Sequence, residues 1–124
     1  MAKRSFLASF SYAAEGIGYA LKTQRNMRFH AVAAVVVIAA AALLQLTWQR
    51  WLFLLVAITM VMAAELLNTA VEVVVDMVSP EPHPMAKAAK DTAAGAVLLT
   101  AIFAFVVAII VFYQPVAAWL GSQH

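Results

Sequence analysis

Apolar residues fill four stretches of the chain, and the spacing of these residues differs between the first stretch and the other three. In the first, Phe6, Phe10, Ala13, Ile17 and Leu21 recur every three or four residues, as on one face of a helix. Serines, a glutamate and two glycines interrupt this stretch. The pattern therefore predicts an amphipathic helix over about residues 5–24 that lies at a membrane surface rather than crossing the membrane.

The three later stretches are long enough to cross a bilayer. Residues 29–47 are almost wholly apolar and would form about 28 Å of helix, close to the ~30 Å hydrocarbon core. A second helix is predicted over residues 51–78, long enough for one end to protrude. Three prolines in "SPEPHP", residues 79–84, interrupt the helical pattern. A third span is predicted over residues 85–113, ending near Pro115.

This order predicts an all-α integral membrane protein with one domain over residues 1–124. Composition agrees, because 65% of the residues are hydrophobic and 11% are charged, against roughly 45–50% and about 25% in soluble domains. Cysteine is absent from the sequence, which excludes disulfides and thiolate chemistry. No P-loop motif is present. Any chemistry must therefore come from the helices and their short connections.

The positive charges predict how the chain is oriented in the membrane. Basic residues precede the first span and follow the second, whereas the first connection holds only Arg50. By the positive-inside rule, the N-terminus and the 79–84 loop are cytoplasmic and the C-terminus is outside. The net charge of +2 is too small to predict nucleic-acid binding. The basic residues used are Lys3, Arg4, Lys22, Arg25, Arg28, Lys87 and Lys90.

Acidic residues interrupt the second span in "AAELLNTAVEVVVD", residues 63–76. At 100° per residue, Glu65, Asn68, Glu72 and Asp76 share one narrow helix face. Glu65 is predicted to lie inside the bilayer, where a charge costs on the order of 2.5–3.5 kcal/mol. A polar contact between helices is the alternative explanation, but one such contact needs one polar residue. Four polar groups in line favour a site.

The start of the third helix adds Lys87, Lys90 and Asp91 near the same depth. Carboxylates suit Mg²⁺, which also takes phosphate oxygens, and lysine suits phosphate. We therefore expect a nucleotide-phosphate site at the membrane surface, with Glu65 deeper as a base for a lipid hydroxyl. Asp76 could bind nucleotide, cap the end of the helix or pair with Lys87 or Lys90, and the salt bridge is favoured. His30 is assigned to headgroup contact and not to catalysis.

The motifs "AAELLNTAVEVVVD" and "HPMAKAAKDTAAGAV" together resemble the paired signature of the bacterial diacylglycerol kinase family. The "HP" opening, "AKAAKD" and the upstream "RNMRFH" resemble its undecaprenol kinase branch. The resemblance covers about residues 6–112. It implies a homotrimer of three-span subunits with active sites shared between neighbours, in which ATP and Mg²⁺ phosphorylate a lipid alcohol.

The resemblance also implies roles for single residues. Glu65 matches the catalytic glutamate, Asn68 the site asparagine beside it, and Glu72 a metal-binding glutamate. Gln24 stands where relatives carry a second metal-binding glutamate, and this loss of a carboxylate should weaken Mg²⁺ binding. The expected nucleotide contacts are Tyr12, Glu81, His83, Lys90 and Asp91, and the expected lipid contacts are Glu65, Asn26 and Arg28.

The expected activity is thus an ATP- and Mg²⁺-dependent kinase that acts on undecaprenol. Three alternatives stay open at this point. The same chemistry on diacylglycerol differs only in the apolar chains, which pockets discriminate weakly. A small ion-coupled transporter would use Glu65 as a proton or cation site. A non-catalytic membrane subunit, weakened at Gln24, is the third.

Overall fold

The computed structural model describes residues 5–123, which form four α-helices: α1 (Phe6–Thr23), α2 (Arg25–Leu43), α3 (Trp48–Val78) and α4 (Pro84–Ser122). By length and composition, α2, α3 and α4 could each cross a membrane. The predicted all-α fold class, with four helices of which three are candidate membrane spans, is therefore confirmed. Lys3 and Arg4, used above for orientation, lie outside the described residues.

Side chains cap three of the four helix starts. The Oγ of Ser5 accepts from the Ala8 amide at 3.1 Å before α1, and the Oγ1 of Thr47 accepts from the Arg50 amide at 3.4 Å before α3. His83 caps α4 through Nδ1, and Pro84 follows at the first helical position, where proline is favoured. The loop between α3 and α4 is therefore residues 79–83, called the proline loop below.

The corner between α1 and α2 is a single extended residue, Gln24, with φ −112° and ψ 116°. Arg28 closes this corner, because its Nη1 donates to the carbonyls of Leu21 at 2.9 Å and Lys22 at 3.0 Å. These carbonyls belong to the last turn of α1, which has no helical partners for them. Because the corner takes up a single residue, α2 already begins at Arg25, whereas the first span was predicted to begin at residue 29.

The far end of α2 is also earlier than the sequence pattern predicts. The helix ends at Leu43 rather than at residue 47. Gln45 adopts a positive φ of 54°, which stops the helix, and the Leu46 amide donates back to the Ala41 carbonyl at 3.2 Å. The chain then re-enters a helix at Trp48 rather than at residue 51.

The predicted end of the last helix near residue 113 is wrong, because α4 continues through Pro115 to Ser122. The φ of proline fits a helix, and the residue removes one backbone donor. In an apolar environment the helix still satisfies the remaining backbone groups best. Arg50 supports this region, since its Nη2 donates to the Oε1 of Gln114 at 2.9 Å.

Helices α3 and α4 are antiparallel neighbours that pack along much of their lengths, and α3 also contacts α2 and α1. The apolar core lies at the end away from the proline loop. Nearer the loop, buried side chains come from α1, α2 and the polar face of α3, together with Val97 of α4. The core residues are Ala41, Leu46, Leu54, Ala57, Val107 and Val111.

Helices α3 and α4 are both longer than the hydrocarbon core of a bilayer is thick. At 1.5 Å per residue, α3 is about 46 Å long and α4 about 58 Å, against a hydrocarbon core of ~30 Å. Both helices therefore protrude, and the α3–α4 hairpin can carry polar groups beyond the membrane while its middle remains in lipid.

Candidate functional site

The polar face of α3 becomes less buried toward the proline loop. Glu65 is 1% exposed and Asn68 is 8% exposed, whereas Glu72 is half-buried and Asp76 is exposed. The face therefore leads from a buried carboxylate to a solvent-exposed one.

Two buried atoms on this face are unpaired in the part of the chain that the structure describes: Oε1 of Glu65 and Oδ1 of Asn68 lack a hydrogen-bond partner. The neighbouring Thr69 hydroxyl does not help, because it donates to the backbone carbonyl of Glu65 at 2.9 Å. An unpaired buried polar group costs about 1–3 kcal/mol. Such groups call for a functional explanation. Both oxygens can accept a hydrogen bond or contact a cation.

His30 on α2 lies beside the buried carboxylate. Its Nε2 is 3.3 Å from Oε1 of Glu65, and its side chain is 19% exposed. The two atoms are close enough for an ion pair, but the geometry at Nε2 is not that of a hydrogen bond. Oε1 of Glu65 therefore has no hydrogen-bond donor within the described residues. The assignment of His30 to headgroup contact is therefore wrong, because the imidazole faces the interior.

Helix geometry offered a signal for this contact. His30 lies about 20 Å along α2 from Leu43, and Glu65 lies about 26 Å along α3 from Trp48. Since these two helix ends adjoin the same short connection, both residues fall at similar depth. The angular position of His30 could not be read in the same way, because residues all round α2 are apolar.

A cleft of about 690 Å³ opens between the end of α3, the proline loop and the start of α4. It brings together four of the residues expected to contact a nucleotide: Glu81, His83, Lys90 and Asp91. Its polar and charged lining includes Asp76, Glu81, His83, Lys87, Lys90 and Asp91.

Two short ion pairs shape the cleft. Lys90 Nζ lies 2.6 Å from Asp76 Oδ1, and Lys87 Nζ lies 2.6 Å from Asp91 Oδ2. The pairing of Asp76 with Lys90 is one of the two salt bridges expected from the sequence. An ammonium has three donors, so each lysine can hold its carboxylate and still bind a phosphate oxygen.

Some polar groups of the proline loop form hydrogen bonds within the loop or to the start of α4. His83 Nδ1 accepts from the Met85 amide at 3.0 Å, which leaves Nε2 for a ligand. The backbone carbonyl of Glu81 accepts from the Ser79 hydroxyl at 2.9 Å, while its carboxylate remains on the exposed side chain. Both residues line the cleft, and Nε2 of His83 and the carboxylate of Glu81 remain available to contact a ligand.

The remaining predicted site residues lie away from this cleft. Tyr12 is on α1, and Asn26 is exposed on the first turn of α2. Arg28 holds the α1–α2 corner, a structural role that the sequence did not predict. Gln24 is half-buried at that corner. None of these four residues lines the cleft.

No group of three His, Asp or Glu side chains within residues 5–123 is arranged to hold a metal ion. Mg²⁺ does not require such a group, since it often binds one or two carboxylates and completes its shell with water and phosphate oxygens. The half-buried carboxylate of Glu72 is a hard oxygen donor of the kind that Mg²⁺ takes. The site therefore fits Mg²⁺ that arrives with a nucleotide.

Comparison with known proteins agrees with the resemblance seen in the motifs. The family model described as prokaryotic diacylglycerol kinase matches residues 11–112. Undecaprenol kinase of Bacillus subtilis is 40% identical over 107 residues, which cover 86% of this chain and 87% of that protein. Diacylglycerol kinase of Synechocystis sp. is 51% identical over 104 residues, 83% of this chain but 59% of that protein. Diacylglycerol kinase of Escherichia coli (strain K12) is 30% identical over 95 residues, 77% of this chain and 78% of that protein.

Proposed function

The chain belongs to the prokaryotic diacylglycerol kinase family, and from this premise we propose that it transfers the γ-phosphate of ATP to the hydroxyl of a membrane lipid. The observation that carries this proposal is the graded polar face of α3. A buried carboxylate at Glu65 lies on the same face that reaches a lysine-bearing cleft at Asp76. A lipid hydroxyl and a water-soluble nucleotide could meet along this face.

We propose undecaprenol as the lipid, with diacylglycerol as the alternative. The 40% identity to an undecaprenol kinase extends over most of both chains. The more identical diacylglycerol kinase is matched over only 59% of its own length. Because apolar walls discriminate weakly between hydrocarbon chains, the choice of lipid must be tested directly.

Glu65 is the proposed general base. Its carboxylate takes the proton of the lipid hydroxyl as that oxygen attacks the γ-phosphorus. The bond from the γ-phosphorus to the bridging oxygen breaks, and ADP leaves with that oxygen. Asn68, one turn along the same face, is the second proposed catalytic residue and orients the lipid hydroxyl or a phosphate oxygen. Positioning and electrostatic stabilisation would supply most of the rate.

The cleft is the proposed nucleotide site. Lys90 would neutralise phosphate charge, and Asp91, Glu81 and His83 would contact the nucleotide around it. Tyr12 is a proposed nucleotide contact from α1, on the family pattern alone. Mg²⁺, when bound, would neutralise charge on the phosphate oxygens. Glu72 would hold it, with Gln24 as a weaker neutral ligand.

Asn26 and Arg28 are proposed to contact the lipid beside Glu65. Both are exposed at the start of α2, close to the membrane boundary. Arg28 already donates through Nη1 to the end of α1, so its remaining nitrogens would serve the lipid headgroup region.

The proposed assembly is a homotrimer in a bacterial cytoplasmic membrane, with sites shared between neighbouring subunits. We place the N-terminus and the proline loop in the cytoplasm and the C-terminus outside, on the distribution of Lys and Arg. The many large apolar side chains exposed on α4, such as Leu99, Phe105 and Ile110, suit contact with lipid and with neighbouring subunits.

The test is a transfer assay with purified protein in vesicles. Radiolabelled ATP and Mg²⁺ are supplied with either undecaprenol or diacylglycerol at equal surface density, and labelled lipid is separated and counted. We expect label in both products with a higher kcat/KM for undecaprenol. Faster transfer to diacylglycerol would establish the alternative, and no transfer to either lipid would contradict a kinase.

A further inference from the structure

His30 lies on the wall of a small, partly open cavity between α2, α3 and α4. The cavity has a volume of about 100 Å³, and apart from His30 its lining is apolar. Representative lining residues are Ala33 and Val37 on α2, Leu54 and Val61 on α3, and Ala104 on α4. A polar ring in such a wall needs a partner, because burying an unpaired polar group is costly.

Two contacts restrict the His30 ring. The ring packs edge-on against Phe29, with centroids 5.5 Å apart and an interplanar angle of 78°. Its Nε2 lies 3.3 Å from Oε1 of Glu65. In the part of the chain described here, no other charged side chain lies within ion-pair distance of the Glu65 carboxylate.

Glu65 needs such a contact for catalysis. A glutamate has three side-chain torsions, and a base acts only when it is within about 0.5 Å of its productive position. The Thr69 hydroxyl on the next turn binds the backbone carbonyl of Glu65 and makes no hydrogen bond to its carboxylate. The contact from α2 is therefore the one that can fix the carboxylate.

We propose that His30 is a positioning residue for Glu65. Its Nε2–H donates to Oε1 after a small rotation of the carboxylate, and Oε2 is left to take the proton of the lipid hydroxyl. This proposal rests on the proposed function, because it assumes that Glu65 is the base. It gives α2 a part in the reaction through the last residue of the "RNMRFH" motif.

The length of the side chain supplies a matched pair of variants. The amide nitrogen of glutamine reaches about as far as Nε2 of histidine, whereas that of asparagine stops near the position of Nδ1. His30→Gln can therefore donate to Glu65, and His30→Asn can donate only at the wrong distance. Neither amide can accept a proton at neutral pH, so recovery by glutamine would also exclude His30 as the base itself.

The experiment measures kcat and both KM values in vesicles for wild type, His30→Ala, His30→Gln and His30→Asn. We expect His30→Ala to lower kcat by roughly 10- to 100-fold, the scale of a misplaced catalytic group, with KM values nearly unchanged. His30→Gln should recover most of this loss and His30→Asn little of it. If His30→Ala does not fold, the Gln and Asn variants carry the test by themselves.

Three results would overturn the proposal: unchanged kcat in His30→Ala, equal activity of the Gln and Asn variants, or a loss in His30→Gln as large as in His30→Ala. Glu65→Gln is assayed in parallel to separate this proposal from the proposed function. If Glu65→Gln is inactive and His30→Ala is fully active, only the role of His30 fails. If Glu65→Gln is active, the assignment of Glu65 as base fails first.

Discussion

The Lys90 ammonium lies 2.6 Å from the Asp76 carboxylate, and this ion pair joins the end of α3 to the start of α4 across the mouth of the proline-loop cleft. Lys87 pairs instead with Asp91 on its own helix, one turn away. The two lysines therefore differ in what holds them, although both line the same cleft. The one anchored between helices is better placed to present a fixed positive charge to a phosphate.

This difference predicts unequal effects of removing the two lysines. Lys90→Ala should lower kcat/KM for ATP by roughly 10- to 100-fold, the range for losing one charge-assisted hydrogen bond. Lys87→Ala is the matched control, and its effect should be several-fold smaller because Lys87 is not anchored across the cleft. Steady-state kinetics at saturating lipid measure both. Equal losses would contradict the assignment of Lys90.

Arg28 should stabilise the α1–α2 corner independently of any contact with lipid. Arg28→Lys keeps the charge but shortens the side chain, so its ammonium no longer reaches the Leu21 and Lys22 carbonyls to which Nη1 donates. We expect faster hydrogen exchange of the amides around Gln24 in this variant. Arg25→Ala, which changes an exposed arginine on the same turn, should leave that exchange unchanged. Equal exchange in wild type and Arg28→Lys would contradict the capping role.

Asn68 should favour activity at the expense of stability. Its Oδ1 is buried without a partner in the described chain, and such an atom costs about 1–3 kcal/mol. Asn68→Leu keeps the branching and the number of side-chain heavy atoms and removes that cost, so we expect a higher melting temperature together with a large loss of kcat. Thermal unfolding in detergent and the transfer assay measure the two effects. A lower melting temperature would show that Asn68 has a partner in the assembled protein.

Gln24 should limit the affinity for Mg²⁺. If it lies beside the ion, Gln24→Glu adds a carboxylate ligand, and charge count is a main determinant of cation affinity. We expect half-maximal activity at a several-fold lower free Mg²⁺ concentration. Gln49→Glu, at the opposite end of the bundle, is the control for added charge and should not change the Mg²⁺ titration. Coinciding titrations for wild type and Gln24→Glu would place Gln24 outside the metal site.

The sequence predicted the elements whose signals are periodic or compositional. The polar face of α3 was predictable because Glu65, Asn68 and Glu72 recur at helical spacing within an apolar background. The proline loop was predictable from its three prolines. The prediction of Asp76 pairing across to α4 followed from the shortness of that loop.

Contacts that depend on rotation and packing were not predictable. Because α2 is apolar on all sides, its sequence does not show which face packs against α3. The contact of His30 with Glu65 was therefore not predicted. The role of Arg28 depends on the bend at Gln24, which no turn residue marks. Proline usually marks a helix end, but helical backbone on both sides of Pro115 outweighed that local signal.

The catalytic role of Glu65 is the central claim, and replacing its carboxylate by an amide tests that role most directly. Glu65→Gln keeps the size and burial of the side chain but cannot take a proton, and a general base contributes about 10²- to 10⁴-fold to rate. Glu15→Gln, an exposed glutamate on α1, is the control and should retain full turnover. We predict that Glu65→Gln loses at least ~100-fold in lipid phosphorylation while binding ATP as wild type does, measured by calorimetry. Turnover within a few-fold of wild type would contradict the account.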